Sequence, residues 1–355
     1  MVLRMPLPVH SMIVVGGRCR AVLGLLLVAT MLGCGAKPPS RVSTAQFEPE
    51  KPRVKVGLSV PASTYLPLYL AADASLFSQE GLQVDLLEFR GGMDLIKALV
   101  AGSIDIGVVS LVEVTAGIDA GQPLKAFYAG FNFPMFDWYA VPSIKSLAAA
   151  RGKRFGVAQY GSSTDFLTRY VLKVNGIDPG KDAQIVQGGD SATRLAAMQA
   201  GQLDANILAA PEKFIAAERG YNLIFQQKSL AADYPYHVIV ANESFLSRDP
   251  NTVKAFLRGH VRGLRFAKRD KQRAIQTLTR HLHIDAKYLG PTYDELIDDL
   301  YEDGRLPSEK ALELFFDMGI QAGRYKARWP REKYWTTAYV DTYNQWKPAS
   351  PQNQP

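Results

Sequence analysis

The sequence predicts an α/β protein of two lobes with a helical C-terminal part. Two observations carry this prediction: strand-like runs alternate with helix-like runs from residue 53 onward, and the order of the runs starts again after residue 152. Such alternation is typical of a mostly parallel sheet with helices on both faces. The chain has 355 residues, of which 47% are hydrophobic, so it is long enough to form two such lobes.

The first half holds four predicted strands, each short, apolar and bounded by turn residues. These strands cover residues 53–60, 83–89, 104–109 and 124–131, and helices are predicted over residues 66–76, 92–101 and 112–120. The second half follows the same order. Its predicted strands cover residues 154–158, 184–187, 203–208 and 236–241, and its helices cover residues 163–175 and 190–200. The C-terminal part is predicted to be helical over residues 251–268, 271–281, 292–301 and 308–323.

A weak internal repeat links the two halves. Ala101-Gly102-Ser103-Ile104-Asp105 in the first half corresponds to Ala200-Gly201-Gln202-Leu203-Asp204 in the second, 99 residues later. In each half the unit follows a Gly-Gly pair and a helix, and it leads into a strand. The repeat predicts two lobes of similar construction.

The first 33 residues are predicted to be an export signal. Arg4, Arg18 and Arg20 precede an apolar run over residues 21–32, and no acidic residue occurs before Glu48. A basic start and a short apolar run are typical of a secretory signal, and this run is too short to span a membrane. The next residues, Met31-Leu32-Gly33-Cys34, resemble a bacterial lipobox, which implies that Cys34 is acylated. A plain signal peptide with an incidental cysteine is the alternative.

Composition excludes several classes of protein. Both cysteines lie before residue 35, so the body has no disulfide scaffold, zinc ribbon or cysteine nucleophile. Removing residues 1–33, which hold three arginines and no acid, lowers the net charge from +7 to +4. That charge is too small to indicate nucleic-acid binding, and no nucleic-acid motif is present. His281 and His283 have no evident third ligand and point apart on a helix, so we expect neither a metal nor a cofactor.

Two lobes in tandem create a cleft, and ligands of open sheets lie beyond the carboxyl ends of the strands, near helix N-termini. The candidate ligand-binding residues in those loops are Thr64, Tyr65, Arg90, Gly91, Gly92, Ser110, Asn132, Tyr160, Gly161, Ser162, Ser163, Thr164, Asp190 and Ser191. The loop 160–164 is the strongest candidate, because its hydroxyls and the helix N-terminus that follows suit an anionic group.

Simpler roles compete with ligand binding at several of these positions. Ser110, Asp190 and either Ser162 or Ser163 are suitable N-caps, and Arg90 is equally suited to be a solvated loop charge. The segment 127–139 carries seven aromatic residues that could either hold a flat ligand or pack in the core. The loops thus favour a small organic ligand with a flat or acidic part.

Motifs over residues 53–256 resemble periplasmic substrate-binding proteins of the nitrate, sulfonate, taurine and thiamine-pyrimidine importer family. The matching stretches of the first lobe include Pro67-Leu68-Tyr69-Leu70-Ala71, Glu80-Gly81-Leu82-Gln83-Val84, Phe89-Arg90-Gly91-Gly92 and Leu99-Val100-Ala101-Gly102-Ser103-Ile104-Asp105-Ile106-Gly107. Those of the second lobe are Gly152-Lys153-Arg154-Phe155-Gly156-Val157, Tyr160-Gly161-Ser162-Ser163-Thr164 and Gly188-Gly189-Asp190-Ser191.

The resemblance implies an exported, lipid-anchored receptor of the cell envelope, in the periplasm or on the outer face of the cytoplasmic membrane. It would close on a small molecule and present it to an ABC permease, and we expect it to be a monomer. The expected organisation is a signal peptide (1–33), a tether (34–53), a discontinuous first lobe (54–140 and 238–345), a second lobe (141–237) and a flexible tail (346–355). The chain would pass between the lobes through hinges near residues 138–143 and 235–240.

Two other functions remain open. The first is an exported ligand sensor that feeds a signalling protein. The second is an enzyme, because some relatives of this fold make the thiamine pyrimidine or act in menaquinone synthesis. The resemblance implies a cysteine-rich motif in the pyrimidine-forming enzymes, and the body of this chain has none.

Overall fold

The computed structural model describes residues 47–349. The predicted signal peptide, Cys34 and residues 34–46 of the tether lie outside the described residues, as do residues 350–355 of the tail. Within the described range no helix is both long enough and apolar enough to cross a bilayer.

Two five-stranded sheets organise the chain, each in its own lobe. The first sheet has the order β2-β1-β3-β10-β4 and the second has the order β7-β6-β8-β5-β9. The strands are β1 (Arg53–Leu58), β2 (Gln83–Glu88), β3 (Ile106–Ser110), β4 (Leu124–Phe131), β5 (Asp137–Ala140), β6 (Arg154–Val157), β7 (Gln184–Gln187), β8 (Ala205–Leu208), β9 (Asn222–Gln226) and β10 (His237–Asn242). In each sheet one strand, β10 or β5, runs antiparallel to both of its neighbours, so both sheets are mostly parallel, as predicted.

Helices follow most of the strands. They are α1 (Leu66–Asp73), α2 (Leu76–Gln79), α3 (Gly92–Val100), α4 (Leu111–Asp119), α5 (Ser163–Val174), α6 (Ser191–Gln199), α7 (Glu212–Glu218), α8 (Glu243–Arg248), α9 (Pro250–Arg269), α10 (Lys271–Leu282), α11 (Ala286–Leu296), α12 (Glu309–Gln321) and α13 (Tyr343–Trp346). Helix α11 covers Ala286–Leu296, so it begins and ends earlier than the predicted range 292–301. It continues through Pro291.

Two matched contacts confirm the internal repeat. Asp105 accepts the backbone N–H of Lys55 at 3.0 Å, and Asp204 accepts that of Arg154 at 2.9 Å. A Cβ on Gly57 would lie 2.5 Å from Ile104 Cδ1, and a Cβ on Gly156 would lie 2.5 Å from Leu203 Cδ1. In both lobes, therefore, a glycine of the inner parallel strand makes room for the aliphatic side chain of the repeated unit.

The chain crosses between the sheets twice, through residues 132–136 and 227–236. Strand β5 belongs to the second sheet, so the first crossing comes before the predicted hinge at 138–143, and lobe 1 does not extend to residue 140. All four residues of β5 are buried, so the strand lacks the alternation of a half-buried strand, and this is why its place was not predicted. The second crossing overlaps the predicted hinge only at residues 235–236.

Both ends of the described chain are attached to lobe 1. Glu50 accepts the backbone N–H groups of Asn251 and Thr252, so the predicted tether is docked by residue 50. At the other end, Trp346 is fully buried and Arg258 donates to its carbonyl oxygen at 2.8 Å. Trp346, which was predicted to begin the flexible tail, is therefore packed against lobe 1.

The helical C-terminal part contacts both lobes. Phe315 of α12 packs on Phe166 of α5, with the ring centroids 6.0 Å apart. In α11, Glu295 forms an ion pair with Lys213 of α7, which also pairs with Asp137 at 3.1 Å. The contact with lobe 1 comes from α9, where Arg258 pairs with Glu80 at 2.6 Å.

Candidate functional site

A cavity of about 50 Å³ lies where the two lobes meet, beyond the carboxyl ends of their strands. Loops and helix N-termini of both lobes line it, in the arrangement expected for open α/β sheets. The lining residues are Ser59, Val60, Pro61, Ala62, Gly91, Gly92, Glu113, Met135, Phe136, Ala158, Ser162, Ser163, Thr164, Ser191, Arg194, Ala209, Ala210, Pro211, Glu212, Tyr236 and Leu282.

The N-terminus of α5 is one wall of the cavity. The Ser162 side chain caps this helix by accepting the backbone N–H of Asp165, and its hydroxyl lies 2.9 Å from that of Thr164. The Thr164 hydroxyl accepts the backbone N–H of Ala158 at 2.8 Å. The backbone N–H of Ser163 points across to lobe 1 and donates to Glu113 Oε1 at 2.9 Å. The position where we expected a ligand anion is therefore held by a carboxylate of the protein.

Glu113 reaches this position from the first turn of α4. Its side chain is 3% exposed, and its Oε2 atom is buried without a hydrogen-bond partner. Burial raises the pKa of this carboxyl, and the Ser163 N–H, the Ser110 side chain and the charge of Arg324 act in the opposite direction. A Cβ on Gly92 would lie 2.8 Å from Glu113 Cγ, so the glycine leaves the space that the acid occupies.

Lobe 2 contributes a buried cation, Arg194 of α6. Its Nε donates to Asn206 Oδ1 at 2.9 Å, and its Nη2 donates to the Ile207 carbonyl at 2.8 Å. It also contacts the Gly189 carbonyl and the Ser191 hydroxyl. Burial lowers the pKa of Arg194 to about 10.

A second acid of the cavity, Glu212, begins α7 in lobe 2. Burial raises its pKa to about 7, although the charge of nearby Arg194 acts to lower it. Across the cavity, then, Glu113 of lobe 1 faces a lobe 2 wall that carries one acid and one cation.

Aromatic residues of the two crossings form the apolar wall. Phe136 contacts Tyr236 edge to face, with ring centroids 5.2 Å apart, and Met135 precedes it. Tyr236 stacks on His237, whose ring stacks in turn on Tyr65 at 5.0 Å. His237 Nδ1 lies 3.0 Å from the Thr64 hydroxyl. The lining thus has a rigid ring face that suits a flat or apolar group.

The buried imidazoles of His237 and His260 predict a loss of stability in acid. Burial lowers the pKa of His237 to about 3 and that of His260 to about 4, whereas histidine in an unfolded chain titrates near 6.5. Below that pH the two imidazoles bind protons in the unfolded chain but stay neutral in the folded chain, so the free energy of unfolding falls. We expect a loss of about 2 kcal/mol per histidine between roughly pH 7 and 5.

Urea unfolding at the two pH values measures this loss. In the double variant His237→Asn and His260→Asn the drop becomes smaller by about 4 kcal/mol, and the carboxyl contributions common to both proteins cancel. An equal drop in both proteins contradicts the assignment to the histidines.

Direct contacts between the lobes hold the cleft closed. The Ser63 hydroxyl donates to the Ala210 carbonyl at 3.0 Å, and Gln159 Nε2 donates to Asp94 Oδ2 at 2.8 Å. Arg324 donates to the Gly161 carbonyl of lobe 2 at 3.2 Å and to the Val112 carbonyl of lobe 1 at 3.3 Å. Together with the Ser163–Glu113 bond, these contacts cross the cleft at several points.

The structure brings six of the predicted ligand-binding residues to the cavity, and the other eight lie outside its lining. The six are Gly91, Gly92, Ser162, Ser163, Thr164 and Ser191. The eight are Thr64, Tyr65, Arg90, Ser110, Asn132, Tyr160, Gly161 and Asp190.

The residues outside the lining have structural contacts or face solvent. Ser110 and Asp190 cap α4 and α6, and Gly161 donates its N–H to Asp165. Asn132 donates to the Arg305 carbonyl. Arg90 is exposed at the end of an edge strand, and Tyr160 is 56% exposed. Thr64 and Tyr65 lie behind the cavity wall, against His237.

The sequence did not single out the charged residues of the cavity. Glu113 and Arg194 lie near the beginnings of α4 and α6, where an acid or an arginine is ordinary. Their positions in the sequence could have indicated them, since Glu113 follows the candidate Ser110, and Arg194 the candidate Ser191, by three residues. The helix spacing places such a residue on the face of its own N-cap.

His281 and His283 lie at the C-terminal end of α10. His281 stacks on Tyr69 with ring centroids 4.0 Å apart and lies 3.2 Å from Asp73. His283 follows α10 with a φ of 55°. Among residues 47–349 no group of three His, Cys, Asp or Glu side chains is placed to hold a metal ion.

Comparison with known proteins places this geometry in context. A sequence model of the family described as NMT1/THI5 like matches residues 62–274, which is more than half of the chain. YtlA of Bacillus subtilis (strain 168) is 26% identical over 221 residues, which are 58% of this chain and 63% of that protein. The 4-amino-5-hydroxymethyl-2-methylpyrimidine phosphate synthase of Schizosaccharomyces pombe (strain 972) is 23% identical over 238 residues, which are 62% of this chain and 65% of the synthase. Both matches span less than two thirds of the relative.

The likeness to solved structures covers more of the chain. The alkanesulfonate-binding protein SsuA from Xanthomonas axonopodis pv. citri, bound to MOPS, superposes with a TM-score of 0.66 at 21% identity, over 79% of this chain and 96% of that one. At this identity the likeness concerns the fold. The chain has the two-lobed fold of periplasmic binding proteins, as predicted.

Proposed function

The chain belongs to the NMT1/THI5-like family, and on that premise we propose that it is the substrate-binding component of an ABC importer. It captures a small organic molecule between its lobes and presents the closed complex to a membrane permease. The observation that carries this proposal is the cavity itself, which residues of both lobes line and which contacts between the lobes enclose.

Ligand binding in this proposal stabilises the closed arrangement. A molecule that touches both lobes has its full set of contacts only when the cleft is closed, so it shifts the population towards that state. No bond needs to be made or broken. The segments that change conformation are the crossings 132–136 and 227–236, and the second of them carries Tyr236 of the cavity wall.

The apolar wall supports a ligand with a flat or apolar part, because Phe136, Tyr236 and Met135 offer ring faces and a thioether on one side. The acidic group that we also expected has less support, since the Glu113 carboxylate already accepts the Ser163 N–H. The likeness to proteins described as alkanesulfonate-binding and nitrate-binding therefore concerns the fold and does not name the cargo.

The proposal places the protein in the cell envelope, outside the cytoplasmic membrane. The export signal over residues 1–33 and the lipobox-like Cys34 support a lipid anchor there. A sensor role would use the same closure, with a signalling protein in place of the permease. An enzyme is the competing function of another class, because one relative is a pyrimidine phosphate synthase.

Thermal unfolding of the full-length chain with a panel of small organic molecules tests the proposal. A ligand at about 100 times its Kd adds about 2.7 kcal/mol to the folded state, which raises the Tm by roughly 5 °C. We expect at least one compound to do so and to be recovered chemically unchanged, and the substitution Tyr236→Ala to reduce the shift. Conversion of the compound would favour the enzyme, and no shift across the panel would contradict the receptor.

A further inference from the structure

We propose that closure of the cleft takes up protons on two acids, Glu113 of lobe 1 and Glu212 of lobe 2, so that the receptor closes more readily in mildly acidic surroundings than in alkaline ones. This inference rests on the proposed function, because it describes how the closure that holds the ligand is regulated. It concerns the acids of the protein itself and does not name the ligand.

The first step of the argument is where closure places Glu113. Its side chain is 3% exposed, and Oε1 accepts the Ser163 N–H of lobe 2 at 2.9 Å. The other oxygen, Oε2, is buried without a hydrogen-bond partner. When the lobes separate, the bond to Ser163 is lost and the carboxyl faces the open cleft. Closure therefore moves this carboxyl out of water into a position that leaves Oε2 unpaired, which disfavours its charged form.

The second step is the position of Glu212 on the opposite wall. It begins α7 and lines the same cavity as residues 59–62 of lobe 1. Two residues before it, the Ala210 carbonyl accepts the Ser63 hydroxyl of lobe 1 at 3.0 Å, so this part of the wall lies against lobe 1. Residues 59–63 carry no charge. Closure therefore covers Glu212 with a segment that offers its carboxylate no opposite charge.

The charged groups around the two acids offset their burial in part. Arg324, which follows α12, favours the charged form of Glu113. Arg194 favours the charged form of Glu212, whereas Asp190 disfavours it. Burial outweighs these charges and raises the pKa of both carboxyls. Four tyrosines that burial keeps neutral near pH 7 also lie near Glu113, and these are Tyr65, Tyr234, Tyr236 and Tyr325.

These positions make closure depend on pH. In an open, solvated cleft a glutamate has a pKa of about 4.3, whereas burial in the closed cleft raises the pKa of Glu212 to about 7. Between these values the closed state binds a proton that the open state does not bind, so a fall in pH favours closure. From pH 8 to pH 6 we expect the ratio of closed to open molecules to rise about tenfold through Glu212 alone. Glu113 adds to this rise.

Ligand affinity at pH 8 and pH 6 tests the inference. The probe is the compound of the thermal panel that gives the largest Tm shift and does not itself titrate between these values. We expect its Kd to be about tenfold lower at pH 6 in the wild type, because affinity rises with the population of the closed state. Calorimetry at pH 6 in two buffers of different ionisation enthalpy should count about one proton or more taken up per molecule bound.

Two variants assign the effect to the cavity. In the double variant Glu113→Gln and Glu212→Gln, the Kd should stay nearly constant between the two pH values, because neither amide titrates. Glu243→Gln changes an exposed acid of α8 that pairs with Lys125. This control should keep the pH dependence of the wild type.

Each other outcome has a definite meaning. A wild-type Kd that is equal or higher at pH 6, or a pH dependence that persists in the double variant, overturns the inference and leaves the proposed receptor standing. If no compound of the panel binds, the proposed function fails, and small-angle scattering of the ligand-free chain decides the inference. The radius of gyration should then fall from pH 8 to pH 6 in the wild type, and an unchanged radius overturns the inference. The proton count needs no variant, so a folding defect in the double variant does not remove the test.

Discussion

Replacement of Glu80 by alanine is expected to lower the free energy of unfolding by about 3–5 kcal/mol, because it leaves two arginines without their shared carboxylate. Glu80 follows α2 and is 2% exposed. Arg258 Nε donates to its Oε2 at 2.6 Å, and Arg262 Nη1 donates to its Oε1 at 3.0 Å. Arg258 also donates to the carbonyl oxygens of Trp346 and Lys347, so the network attaches residues 346–347 to α9.

Urea unfolding of the variant measures this loss, and Asp294→Ala is a matched control. Asp294 pairs with Lys271 at 2.6 Å, but both side chains are about half exposed. Exposed pairs of this kind contribute roughly 0–1 kcal/mol. If the free energy of unfolding falls by similar amounts in the two variants, the Glu80 ion pairs do not stabilise the fold as buried pairs should.

The substitution Gly91→Leu is expected to prevent full closure of the cleft and to weaken ligand binding by roughly one to two orders of magnitude. A Cβ on Gly91 of lobe 1 would lie 2.2 Å from Oε1 and 2.4 Å from Cδ of Gln159 in lobe 2. Overpacking of this kind costs about 1–3 kcal/mol. Because the clash joins the two lobes, it destabilises the closed state and not the open one. Gly91 has a φ of 164°, which leucine adopts without strain, so the lobes themselves should fold normally.

Small-angle scattering and titration with the best compound of the thermal panel measure the two effects. The variant should keep a larger radius of gyration than the wild type after the compound is added. The same change at Gly290, where a Cβ meets nothing within 4 Å, should leave both the scattering and the affinity unaltered. A Gly91→Leu protein that compacts like the wild type would show that the lobes do not close against this loop.

The sequence was sufficient for the fold where its patterns are local. Alternating strands and helices and the repeated Ala-Gly-x-Ile/Leu-Asp unit predicted two similar mostly parallel sheets, and the suspected family is confirmed. The misplaced elements depend on tertiary context. The short strand β5 is buried on both sides and shows no alternation, and α11 continues through Pro291, which normally marks a helix boundary.

The candidate site was predictable at the level of loops but not of side chains. The loops after β2, β6 and β7 supply Gly91, Ser163 and Ser191 to the cavity. Glu113 and Arg194 were missed because their role arises from what lies opposite them across the cleft. The sequence alone does not show which residues of the two lobes lie opposite each other. Arg90, for which a ligand contact and a solvated loop charge were both open, is exposed just beyond the edge strand β2.

The central position of β10 has a consequence for the order in which the protein can assemble. In the first sheet, β10 lies between β3 and β4, although it begins 113 residues after β4 begins. Until residue 242 has emerged, β4 has no neighbouring strand in its sheet, whereas the second sheet is complete at residue 226. The lobe encoded in the middle of the gene is thus the first to be finished. The sheet of lobe 1 can be completed only after that of lobe 2, which reverses the usual N-terminal-first order of multidomain folding.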